Sequence, residues 1–163
     1  RVFVTWGTMQ TEVAHWFLAL MQRLHSREDM KVIAGVFGNH EGYIPPGIQT
    51  ATTTQSFHEE LRAADILVTN GGFGTVKTAL FYGLPVVCVR TRQDDKLEVC
   101  TRIVEARVGS AVAPNAPPHE VVDEIVSVLN DAAVHRAVGR VADQLRQYEY
   151  SDRGCRRLEG LFS

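Results

Sequence analysis

The runs RVFVTW (1–6), KVIAGVF (31–37), DILVTN (65–70) and PVVCVR (85–90) are short, rich in β-branched residues and apolar on both faces of an extended chain. Strands of that kind need cover above and below, which is the situation of a parallel sheet between two layers of helices. The segments between them supply the cover. From Thr11 onward, Val13, Trp16, Phe17, Leu20 and Leu24 recur at helical spacing and predict a helix over 11–25. A turn-rich stretch, GNHEGYIPPG (38–47), precedes the β-branched IQTATTT (48–54), which reads as a further strand. Ser56 and Glu59 have the spacing of a capping box and predict that a helix begins there.

GFGTVKTALFYG (72–83) and residues 95–107 read as helices, and SAVA (110–113) as a short strand. Val121, Val122, Ile125 and Leu129, then Val134, Val138, Val141 and Leu145, predict two more helices, and 151–162 a final short one. Strand and helix alternate throughout, without internal repeat or low-complexity segment. The expectation is one α/β domain over 1–163, a Rossmann-like parallel sheet of about six strands with helices on both faces.

Composition excludes several function classes. A net charge of −2 over 163 residues leaves no basic footprint for a nucleic acid. No segment offers about 18 uninterrupted apolar residues, so no membrane-spanning helix is expected, and no signal-peptide pattern is present. Cys88, Cys100 and Cys155 are odd in number, lack a CxxC pair and have apolar neighbours. They read as free buried thiols in a reducing, cytoplasmic compartment. The chain starts on a strand-like run at Arg1 without a Met, which reads as an excised piece.

In a sheet of this type ligands bind outside the carboxyl ends of the strands. Four segments lie there: Gly7-Thr8-Met9-Gln10, Thr54-Gln55-Ser56, Asn70-Gly71-Gly72-Phe73-Gly74-Thr75, and Thr91-Arg92-Gln93-Asp94-Asp95-Lys96. The third carries three glycines in four positions at a strand-to-helix junction. Without Cβ atoms the chain can adopt positive φ there and a ligand can approach the backbone. Free N–H groups at the helix start, aligned with the helix dipole, form an anion site, to which Asn70 and Thr75 can add side-chain hydrogen bonds. The junction matches neither the Walker A pattern nor GxGxxG, and a tight structural turn is the competing reading. In the fourth segment Asp94, Asp95 and Glu98 are acceptors suited to sugar hydroxyls. A hard cation is the alternative partner for such acids, but Lys96 among them counts against it; a charged helix start is the plainest reading.

VTNGGFGTVKTALFYGLPVVCVRTRQDDKLEVCTRIVEARVG (68–109) resembles the donor-binding signature of family 1 glycosyltransferases, in particular the bacterial and fungal group that modifies macrolides and other lipophilic natural products. Most of that family opens the motif with His-Gly-Gly. A subgroup has Asn-Gly-Gly followed by Asp-Lys-x-Glu-Val, as in Asp95-Lys96-Leu97-Glu98-Val99, and RVFVTWGT resembles the first strand and loop of the C-terminal domain. The resemblance implies one lobe of a two-lobed GT-B enzyme, the nucleotide-sugar lobe, with an N-terminal acceptor lobe outside this chain. It places Gly7 and Thr8 near the phosphates, and Gln55 and Ser56 at the base, mainly through main-chain atoms. Asn70 stands in for the phosphate-binding His, donating from its amide. Gly71, Gly72, Phe73, Gly74 and Thr75 lie on the diphosphate. Asp95 holds sugar hydroxyls, Asp94 is its substitute because of one extra residue in the spacing, and Lys96 stands where many relatives carry Gln.

The reaction so implied is inverting, metal-independent transfer of a hexose, glucose first, from a UDP-sugar to a hydroxyl of a small lipophilic acceptor. No cofactor is implied beyond the donor itself. The general base belongs to the absent lobe, so this chain alone is expected to bind nucleotide and turn over little; His58, near the base loop, is the histidine nearest the donor. Two other classes stay open, a non-catalytic nucleotide-binding module and a different GT-B enzyme such as a nucleotide-sugar epimerase or lipid-linked sugar transferase.

Overall fold

The burial of the first strand explains the architecture around it. In the computed structural model, which describes residues 1–6, 15–36 and 44–149, β1 (Val2–Thr5) is buried at every position. Phe3 meets Phe57 edge to face on one side, with centroids 5.0 Å apart. On the other side the half-buried Trp6, just past the strand, packs against Trp16 and Phe17 at 5.4 and 5.3 Å. Alternate residues thus face different helices, α1 (His15–His25) and α2 (Thr54–Arg62), which cover opposite faces.

The chain continues through β2 (Val32–Gly35), β3 (Gln49–Ala51), β4 (Ile66–Thr69), α3 (Phe73–Tyr82), β5 (Val86–Val89), α4 (Asp94–Glu105), β6 (Gly109–Val112), α5 (Pro118–Asn130) and α6 (Ala132–Glu149). All six strands are parallel, in the order β3-β2-β1-β4-β5-β6. The four central strands are buried throughout; the edge strands β3 and β6 are not. That distribution leaves the polar Gln49 and Thr50 at one border of the sheet. Gly35 is dictated by packing, because a Cβ there would stand 2.7 Å from the Phe3 ring and 3.2 Å from that of Phe57. Helix α5 packs on α1, where Trp16 Nε1 donates to the Ala116 carbonyl, and α6 lies across α3.

Four expectations need correction. The strand expected over 48–54 is confined to Gln49–Ala51, because the threonines after it cap a helix. Thr53 is the N-cap and Ser56 the third helical residue. Ser56 N donates to Thr53 Oγ1 and Thr53 N donates to Ser56 Oγ, both at 3.1 Å, so the capping box lies three residues earlier than the Ser56–Glu59 pair suggests. Helix α4 begins at Asp94, one residue early. Free thiols are not found at Cys88 and Cys100, which form a disulfide between the end of β5 and the second turn of α4. The parallel crossover sets their Cα atoms 5.7 Å apart, within bridging reach. Cys155 and the expected helix over 151–162 lie outside the described residues.

Candidate functional site

The strand order reverses between β1 and β4, whose pairing runs from Val2↔Ile66 to Thr5↔Thr69. At such a switch the connections leave in opposite directions and open a crevice at the carboxyl ends. Trp6 ends the described part of one wall, and Gly7 and Thr8 lie outside the described residues. Asn70, Gly71 and Gly72 form the other wall and lead into α3.

The three glycines play different parts. Gly71 has φ +89°, and a Cβ on it would stand 2.8 Å from the Lys96 carbonyl oxygen, 3.0 Å from Cys100 Sγ and 3.1 Å from Cys88 Sγ. The fold itself demands this glycine, through a left-handed turn pressed onto α4 and the disulfide. Among the described residues nothing demands the other two. Gly72, the N-cap at φ −60°, has only Thr75 Oγ1 nearby, at 3.9 Å, and Gly74 has no atom within 4 Å of an added Cβ. No side chain caps α3. The first ladder bond inside it is Val76 N to Gly72 O at 3.0 Å, so the amides of Phe73, Gly74 and Thr75 have no acceptor within the helix. Among the described residues these three N–H groups, at the positive end of a helix dipole, are thus left without a helical partner. Phe73, the first helical residue, is 72% exposed.

The contact of Gly71 with Lys96 also brings the acidic segment to the same place. Asp94 and Asp95 are exposed in the first turn of α4 and Lys96 is half-buried beside them. Phe73 and Asp95 stand at one end of an apolar groove of about 670 Å³ that continues between α3 and α4 to Leu145. Among the described residues no three of His, Cys, Asp or Glu are grouped as a metal site.

Other candidates are placed differently. Gln55 and Ser56 lie in the first turn of α2, past β3. Gln55 Nε2 donates to Glu59 Oε1 at 2.8 Å and Ser56 serves the cap, so main-chain atoms are what this turn offers. His58 Nδ1 lies 3.0 Å from Tyr82 Oη, at the far end of α3, where the Arg62 guanidinium covers the Tyr82 ring at 5.0 Å; it turns away from the crevice. Asn70 departs most from its expected role. It is fully buried, and one N–H of its Nδ2 donates to the Trp6 carbonyl at 2.6 Å. Neither this bond nor the disulfide beneath Gly71 leaves a signal in the sequence, since both join residues brought together only by the sheet.

The UDP-glucosyltransferase B1 of Starmerella bombicola is 26% identical to this chain over 157 residues, covering 93% of the chain and 36% of that protein. In structure, the calicheamicin glycosyltransferase CalG4 superposes with a TM-score of 0.82 at 23% identity, over 98% of this chain and 42% of the other. The spinosyn rhamnosyltransferase SpnG complexed with thymidine diphosphate gives 0.77 at 19% identity, over 90% and 41%. No protein-family profile matches the chain. The sequence likeness is to UDP-glycosyltransferases, and the fold is that of GT-B C-terminal domains. In sequence and fold the chain resembles the C-terminal domain of a family 1 glycosyltransferase. It spans about a third of the length of the glucosyltransferase relative, and the glycine junction and acidic turn described above fall within the motif that carried the resemblance.

Proposed function

We propose that this domain is the donor-binding half of an inverting glycosyltransferase that moves a hexose, glucose in the first instance, from a UDP-sugar to a hydroxyl of a small lipophilic acceptor. One observation carries the reading. At the β1/β4 switch, three amides of α3 without a helical acceptor stand beside two glycines for which the described residues give no packing reason. The names of the relatives support the chemistry, a UDP-glucosyltransferase in sequence and natural-product glycosyltransferases in fold.

In this reading the diphosphate lies across the amides of Phe73, Gly74 and Thr75. As the bond from the anomeric carbon to the diphosphate breaks, negative charge grows on the leaving oxygen. Fixed N–H donors and the helix dipole stabilise it without reorganisation, a contribution of a few kcal/mol per donor. Asp95, with Asp94 beside it, accepts from the sugar hydroxyls across the crevice, and Lys96 stands with them. The acceptor and the base that deprotonates it belong to a second domain. Charge stabilisation by amides needs no cation, so the reaction is proposed to be metal-independent.

Calorimetric titration with UDP, UDP-glucose and thymidine diphosphate sugars, each with and without Mg²⁺, tests this. UDP binding indifferent to Mg²⁺ is the expected result, and absence of binding by every nucleotide overturns the proposal. Thymidine diphosphate is the second nucleotide to consider, because it occupies one of the structurally similar enzymes.

A further inference from the structure

The residue at the head of the glycine junction is the least explained by a donor-binding role alone. In the family signature that position is a histidine read as a phosphate ligand; Asn70 has the same place but not the same freedom. Its side chain is 0% exposed. The atom facing the Trp6 carbonyl must be the nitrogen, since a carbonyl oxygen only accepts, and the 2.6 Å separation marks a close hydrogen bond. The bond spans the strand-order reversal, tying the residue after β1 to the residue after β4 in the same register as Thr5↔Thr69. The remaining polar atom, Oδ1, is buried without a donor among the described residues. Being an acceptor, it cannot hold a diphosphate oxygen.

We infer that Asn70 is a positioning residue and not an anion ligand: it clamps the two walls of the crevice together, so that Gly71 keeps its turn and the amides of residues 73–75 point at the diphosphate. A neutral, fully buried side chain whose nitrogen is held by a main-chain carbonyl acts on the ligand through the loop it anchors. The inference rests on the nucleotide reading above, and wild-type UDP binding tests that reading separately.

The test uses Asn70→Leu, which keeps the shape and neutrality but removes the donor, with two measurements at a temperature where the variant is folded. The first is amide hydrogen exchange of residues 71–75 without nucleotide; the second is calorimetric affinity for UDP. Positioning predicts faster exchange in the free protein together with UDP binding weakened about tenfold, the size of one buried hydrogen bond. Unchanged exchange with weakened binding would show a direct ligand, and faster exchange with wild-type affinity a purely structural bond; either overturns the inference. Should Asn70→Leu not fold, Asn70→Ser, whose hydroxyl is too short to span the gap, carries the same expectations. If the wild type itself fails to bind UDP, the donor-site reading falls and this inference with it.

Discussion

Gly71→Ala and Gly74→Ala, three residues apart at one strand-to-helix junction, should fail in opposite ways. At position 71 an L-residue is held at φ +89°, which costs about 1–2 kcal/mol. Its methyl would also press on the Lys96 carbonyl at 2.8 Å and on both disulfide sulfurs, and overpacking of this kind adds about 1–3 kcal/mol. The total, roughly 2–5 kcal/mol, corresponds to a melting temperature lowered by roughly 4–20 °C for a chain of this size. At position 74 the added methyl meets nothing within 4 Å, and alanine in place of glycine in a helix contributes about 0.5–1 kcal/mol of stability. Helical Cβ atoms lean toward the amino end, so this methyl occupies the space where the diphosphate is proposed to lie, and UDP affinity should fall at least about tenfold. Differential scanning calorimetry and UDP titration on both variants separate the effects. Wild-type UDP affinity in Gly74→Ala would refute the amide cradle, and a wild-type melting temperature in Gly71→Ala would refute the packing account.

The capping box assigned to Thr53 makes Thr53→Ala destabilising by about 1 kcal/mol and Glu59→Ala close to neutral, and thermal melts will rank the two. The disulfide encloses a loop with a sequence separation of 12, so its reduction, or paired replacement of Cys88 and Cys100 by Ala, should cost about 3 kcal/mol in the chain-entropy picture. Thiol titration under denaturing conditions should find one free cysteine of the three, and three free thiols would disprove the bridge. His58→Ala should leave UDP affinity unchanged, because the ring is engaged with Tyr82; a tenfold loss would place it in the site.

The four central strands were legible because each is a short apolar run rich in β-branched residues, and the parallel sheet followed from strands apolar on both sides, such as ILVT and VVCV. The ligand side followed from chain direction alone, and the glycine junction from its own composition. What remained hidden depends on distance in space. Thr52, Thr53 and Thr54 are β-branched and read as strand, although the hydroxyl of Thr53 is the better cap. Cys88 and Cys100, separated by a loop and a helical turn, show no motif spacing. Gly71, Gly72 and Gly74 look equivalent in a string of letters, and only the neighbours of each absent Cβ distinguish the glycine the fold needs from the two it does not.

The adjacency of β1 and β4 has a kinetic consequence. Trp6 and Asn70, joined across the crevice, are 64 positions apart in the chain. Closing so long a loop adds only logarithmically to the entropy cost, yet that cost falls before the contacts that offset it are made, which slows folding in non-local sheets. The two walls of the crevice therefore come into existence together, when the middle of the sheet zips, and a nascent chain that has emerged only as far as β3 has no half-built pocket with which to hold a nucleotide.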